Sequence, residues 1–165
     1  MRRPITATLL AATLVACGGG TAPAVDRVTE ANVMNRFQGW VKAWNLYNPD
    51  SLAPFYLQRD YLTVAWPTGD RTLGWAAESR FQHSFLPKVT LMNLVPQSPH
   101  VVLVRKELAL VTFPFTMDLA AGGSRWIGPG EGTMLWQNEG GAWRIYAAHL
   151  SYTKVVEAQV VPQRR

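Results

Sequence analysis

The 165-residue sequence has one cysteine, Cys17, so no disulfide can form within the chain and no cysteine-based metal cluster can be assembled. Charged residues are also sparse, at 16% of the chain, so stability has to come from packing. Lys and Arg nowhere interleave with aromatics as a nucleic-acid surface requires, and no nucleic-acid partner is expected. The sequence shows no Gly-rich phosphate loop, no serine nucleophile elbow, no paired carboxylates and no histidine cluster. Nucleotide, serine-hydrolase and metal chemistry have nothing to stand on, and no cofactor is implied.

Long apolar runs are missing too. The one candidate, Ile5 to Ala16, is too short to cross a bilayer as a mature helix, and Arg2 and Arg3 precede it. With Leu14-Val15-Ala16-Cys17 at its end, this segment resembles a bacterial lipoprotein signal. The resemblance implies cleavage after residue 16, lipidation of Cys17 and anchorage of an exported protein to the membrane. An ordinary secretory signal with an incidental Cys is the competing reading. Gly18 to Ala24 forms a small-residue tether. Gly18 replaces the Asp that retains such proteins at the inner membrane, which points to the outer membrane, facing the periplasm. The expected organisation is signal 1–16, lipidated Cys and tether 17–25, one domain 26–161 and a tail 162–165. Removing Arg2 and Arg3 leaves 14 basic against 11 acidic residues, a net charge of +3.

What the sequence does have is aromatic weight, with seven Trp and 48% hydrophobic residues. Val33, Phe37, Trp40, Val41 and Trp44 recur at three- and four-residue spacings, which predicts an amphipathic helix from about Asp26 to Leu46. Asn48-Pro49-Asp50 breaks it, and Asp50 or Ser51 is placed to cap a short helix over Leu52 to Tyr56. Tyr61 to Trp66 reads as a strand stopped at Pro67. Gly74 to Phe85 reads as a third helix ended by Pro87. Strands follow at Val89 to Val95, Val101 to Val104 and Leu108 to Leu119, with Pro114 expected at a bulge or unpaired stretch.

The chain closes on two β-rich runs, Glu131 to Gln137 and Ala142 to Tyr152, joined by Asn138-Glu139-Gly140-Gly141, which predicts a hairpin. Strict period two puts Trp143, Ile145, Ala147, His149 and Ser151 on one face of its second arm, expected to look into a concave interior. There His149 either orients a ligand or moves a proton, or is a buried ring satisfied by Ser151, a carbonyl or water. Helices first and a curved sheet after is an α+β pattern.

The aromatic first helix, the Asn48 to Leu52 turn, the Pro-x-Gly spacing from Val64 to Gly74 and the closing Gly-Ala-Trp-Arg-Ile-Tyr-Ala-Ala-His-Leu-Ser together resemble the SnoaL-like branch of the nuclear transport factor 2-like superfamily. The resemblance covers the chain after Val25. It implies a cone-shaped α+β fold, with three N-terminal helices packed on a strongly curved antiparallel sheet, a pocket at one end and a homodimer formed through the outer sheet face. Pairing the Pro-x-Gly segment with that of the ketosteroid isomerases puts Trp66 where their carboxylate base stands. Their oxyanion-binding Tyr pairs with Lys42, so steroid isomerisation is not expected.

The superfamily's fold does not settle its chemistry. Binding of a small, partly apolar ligand is one reading, with Trp44, Tyr56, Trp66, Trp75, His149 and Ser151 at the pocket. An isomerase or dehydratase acting on a small carbonyl or hydroxy-aromatic compound is the second. It makes His149 the acid/base with Glu131 or Asp60 as partner, although those acids read equally well as rim and turn residues. A structural module with its cavity filled by its own side chains is the third. Arg71 and Arg125 are candidates to meet an anionic ligand, or are simply solvated.

Overall fold

The structure is a computed structural model and describes residues 24–159. The expected signal peptide, Cys17, the expected tether up to residue 23 and the last six residues lie outside the described residues.

Helix α1 (Ala24–Trp44) buries Val33, Phe37, Trp40 and Trp44, which a 3.6-residue turn brings onto one face. Burying each such side chain stabilises by roughly 1.5–3 kcal/mol, and this stripe holds the helix against the sheet. Tyr47, at φ 58°, turns the chain, and Asn48 then caps α2 (Pro49–Leu52) by accepting from the Asp50 N–H. The cap therefore lies upstream of the expected Asp50 or Ser51. Pro49 has no N–H to satisfy and its fixed φ suits the first helical position, so the helix starts there. A 3-10 turn over Ala53–Phe55 completes this segment.

Short strands β1 (Thr63–Ala65) and β2 (Arg71–Leu73) form a hairpin around the expected turn. Helix α3 (Trp75–Phe85) follows and passes through a 3-10 turn at Leu86–Lys88. The remaining strands are β3 (Val89–Pro96), β4 (His100–Arg105), β5 (Leu108–Ala121), β6 (Ser124–Glu139), β7 (Ala142–Tyr152) and β8 (Val156–Gln159). The sheet order is β2-β1-β7-β6-β5-β3, with β4 on β5 and β8 on β6. Every ladder is antiparallel except β1 on β7, so the expected antiparallel sheet is mixed at that pair.

Along β5, Ala109, Val111, Phe113, Phe115, Met117 and Leu119 alternate inward and form the floor on which α1 packs. Pro114 is not bulged, because it stays in register with Glu131 of β6, but it does fall in an unpaired stretch on its other edge. On its other side β5 passes from β4, which reaches Thr112, to β3, which begins at Phe115. A missing N–H costs nothing at that junction.

Gly130 and Gly132 are buried in β6. A Cβ on either would overlap the ring of Phe115 or Phe113, so these glycines let β6 accept two rings flat against its backbone. At the hairpin tip Gly140 and Gly141 take φ 62° and 85°, as a tight two-residue turn demands, and Asn138 Oδ1 accepts from the Gly141 N–H.

The inward face of β7 departs from period two. Leu135 pairs with Ala147 but Trp136 pairs with Ile145, so Tyr146 is one residue too many and the side-chain alternation resets there. Trp143 and Ile145 point in, and beyond the bulge so do Ala148 and Leu150. His149 is consequently exposed on the outer face, and neither the inward-facing nor the buried reading of it holds.

Candidate functional site

Four aromatic rings converge where the cone opens. Trp44 ends α1, Trp66 follows β1, and Phe81 and Phe85 lie one turn apart on α3. Trp44 stacks on Trp66 at 4.8 Å and 3°, Trp66 on Phe81 at 5.8 Å, and Phe81 on Phe85 at 5.4 Å. Trp40 extends the column behind Trp44, at 6.2 Å. Such offset stacks add about 0.5–1.5 kcal/mol per pair beyond burial.

Beside this column lies a cleft walled by Trp44, Trp66, Phe81, Phe85, Met92, Met117, Leu119 and Leu150, with Pro67 and Thr68 at its lip. Counting its open mouth it holds about 310 Å³, but the part wide enough for a water is only about 10 Å³. The cleft is apolar, narrow and open to solvent at one end. Met92 and Met117 supply unbranched, adaptable walls.

Behind Trp66 a carboxyl is buried. Glu78 of α3 is fully inaccessible and accepts from Trp66 Nε1 at 3.2 Å, Thr72 Oγ1 at 2.5 Å and Gln82 Nε2 at 2.7 Å. Burial pushes its pKa up, and the three hydrogen bonds pull the other way. No Lys, Arg or His pairs with it among the described residues, and Gln82 Oε1 has no partner. Tyr56, also fully buried, accepts from Trp40 Nε1 at 3.0 Å, and its pKa is raised by burial and then by the Glu78 charge. The cone thus contains an aromatic wall fixed by a dry polar cluster.

The expected site residues divide into three groups. Trp44 and Trp66 meet at the cleft. Tyr56 and Trp75 stack on each other at 6.1 Å but do not line it. Glu131, His149 and Ser151 come together on the outer face, where Glu131 pairs with Ser151 and Thr133 with His149. Glu131 and His149 are exposed, and so is Asp60, far from them before β1. His149 therefore has no acid partner inside the cone. Arg125 is bound bidentately to Asp118, at 2.8 and 2.6 Å, and Arg71 is exposed. Among the described residues no three His, Cys, Asp or Glu gather as metal ligands would.

Sequence reasoning missed Glu78 and Gln82. The available signal was their position three and seven residues after Trp75, inside the apolar stripe that ends at Phe85.

No protein-family model matches the sequence, and no curated protein matches it. Solved structures do match. One provisionally named a scytalone dehydratase, from Novosphingobium aromaticivorans, superposes with a TM-score of 0.68 at 13% identity, over 82% of this chain and 91% of that one. A type 2 hexachlorocyclohexane dehydrochlorinase gives 0.67 at 11% identity, over 86% and 99%. A nuclear transport factor 2-like protein from Cytophaga hutchinsonii gives 0.62 at 14% identity, over 73% and 94%. The likeness is one of fold: this chain has the cone-shaped α+β fold of nuclear transport factor 2-like proteins.

Proposed function

We propose that the cone binds a small, flat, largely apolar molecule between the Trp44–Trp66 stack and the methionine wall. The observation that carries this is the cleft itself, which is open at its mouth and lined almost wholly by aromatic, Met and Leu side chains. Its narrowness means that a ligand enters by displacing Met92, Met117 or Phe85 rather than by filling a void. The lipoprotein resemblance of residues 1–17 supports a chain tethered to the bacterial envelope through Cys17.

Ligand-induced thermal shifts of the full chain over a library of aromatic and isoprenoid acids and alcohols test the binding reading, with Leu119→Trp as the control that fills the cleft. Hits lost in Leu119→Trp support it, and hits that survive there overturn it.

A second reading is an enzyme of the isomerase or dehydratase type. Glu78 bears on it more than His149, as a buried carboxyl with no cation beside it among the described residues, and it reaches the cleft only through Trp66, whose Nε1 it holds. Turnover of a library hit that is abolished by Glu78→Gln, with binding retained, distinguishes this reading from simple binding.

The homodimer rests on the outer sheet face, where Val95 and Ile127 are exposed at 44% and 40%. Sedimentation of Ile127→Asp against the unaltered chain tests it, and an unchanged mass removes that face from consideration.

A further inference from the structure

At the other end of β7, about 20 Å from the cleft along the strand, lies a polar trough unrelated to the aromatic column. Its walls are Arg36, Pro54, Gln58, Arg59, Glu139 and Arg144, around about 420 Å³. It adjoins a second trough of about 760 Å³, which shares Arg36 and includes Asn32, Lys106 and Trp143.

Two guanidinium groups share one carboxylate here, and a third stands beside them. Arg59 meets Glu139 Oε1 at 2.6 Å and Arg144 meets its Oε2 at 3.2 Å. Arg36 has no carboxylate partner among the described residues. Its Nε donates to Trp143 O at 3.1 Å, its Nη2 to Pro54 O at 2.5 Å, and its guanidinium lies 4.0 Å over the Phe55 ring. That fixes the fork on α1 and orients it from below. Burial and then the charge of Arg144 depress the Arg36 pKa, which places the two cations within each other's field.

A group of three forks and one carboxylate leaves two positive charges uncompensated in a concave surface. Glu139 already occupies the position an incoming anion would take between Arg59 and Arg144. A purely structural role for the cluster explains the carbonyl contacts of Arg36 and the Glu139 bridge, but it leaves the excess of cations unexplained. Planar guanidinium forks match the tetrahedral oxygens of phosphate and bind them in pairs.

We propose that this trough is a phosphate-binding site, with Arg36, Arg59 and Arg144 holding the phosphate and the adjoining trough past Arg36 receiving whatever carries it. The phosphate belongs either to a soluble phosphomonoester or to a lipid headgroup. The proposal is independent of the cleft reading.

Two probes separate the sources: inorganic phosphate followed by calorimetry at low salt, and vesicles of phosphatidylglycerol compared with phosphatidylcholine followed by co-sedimentation. The full chain is tested beside Arg59→Gln/Arg144→Gln and Glu139→Gln, and thermal unfolding in chloride confirms that each variant is folded. Arg36 is left intact because it holds two carbonyls. Removing the two forks is expected to weaken binding about tenfold, and removing the competing carboxylate to tighten it about threefold. Phosphate binding with this pattern assigns the soluble source. The same pattern for phosphatidylglycerol vesicles alone assigns the headgroup. If both probes are indifferent to the double variant, or if Glu139→Gln weakens rather than tightens binding, the site does not exist.

Discussion

The indole Nε1 of Trp66 donates to the carboxylate of Glu78 at 3.2 Å, so the ring that walls the cleft is held in place by a buried acid on a different element. This one bond joins the segment after β1 to α3 and ties the apolar site to the polar cluster behind it. Trp66 is thereby kept parallel to Trp44, with its apolar face turned to the cleft.

The pH dependence of stability should report Glu78. Its pKa lies above the ordinary 4.5 in the folded chain because burial disfavours the anion. As pH rises the unfolded chain ionises first, the folded chain holds the extra proton, and stability falls as pH climbs through the folded pKa. Asp118 and Glu139 have the opposite sign: hydrogen bonds from Arg125 and Arg59 lower them, so their contribution is present above the ordinary carboxylate range and lost in acid. Both remain in Glu78→Gln, so the difference between variant and wild type isolates Glu78. The variant's relative Tm should rise from pH 4 to pH 8, and a constant difference across that range contradicts the assignment.

Glu78→Ala should behave differently from Glu78→Gln. It leaves the donors of Trp66, Thr72 and Gln82 unpaired in a dry interior, at a cost of about 2–4 kcal/mol. Urea denaturation should show the midpoint lowered with the slope unchanged. Trp66 fluorescence should shift as its N–H loses its acceptor.

Gly132→Ala should destabilise by about 1–3 kcal/mol, since its new methyl group meets the Phe113 ring. Combining it with Phe113→Leu should cost less than the two changes summed, because the second removes the atom that clashes. Additive costs in denaturant unfolding would mean that the contact between β5 and β6 is not the cause.

Tyr47→Phe should loosen the free edge of β3. The Tyr47 hydroxyl donates to Met92 O at 3.1 Å and accepts from Met92 N–H at 3.0 Å, closing an edge that no strand covers among the described residues. Loss of both bonds should cost about 1–2 kcal/mol, and amide exchange at Met92 should accelerate while β6 is unaffected.

His149→Ala should change stability by less than about 0.5 kcal/mol, and it should not alter ligand binding in the cleft, because the imidazole is exposed on the outer sheet face. A large loss in either measurement would restore the inward-facing reading.

Some of this was legible in the residues. The spacing of Val33, Phe37, Trp40 and Trp44 marks the buried face of α1, Gly74 and Pro87 bracket α3, and Asn138 to Gly141 sets the final hairpin, because helix period and turn chemistry are local properties. Trp44 and Trp66 were among the aromatics singled out, and they stack beside the cleft. The three-residue β2 was invisible, since a single buried Thr72 between Arg71 and Leu73 carries no periodic signal. Glu78 was hidden by its chemistry: a carboxylate in an apolar stripe reads as surface until Trp66, Thr72 and Gln82 are seen to converge on it.

The direction of His149 was beyond any local rule. Period two holds only while a strand is unbroken, and β7 is interrupted at Tyr146. There one of its edges passes from Tyr56–Leu57, through the Leu57 N–H to Ile145 O bond, to the parallel partner β1 at Thr63. The sequence by itself determined where α1, α3 and the closing hairpin fall and which faces are apolar before the bulge. Only the tertiary structure decided which side of the sheet the last residues face, because a bulge is selected by how neighbouring strands meet and not by the residues that form it.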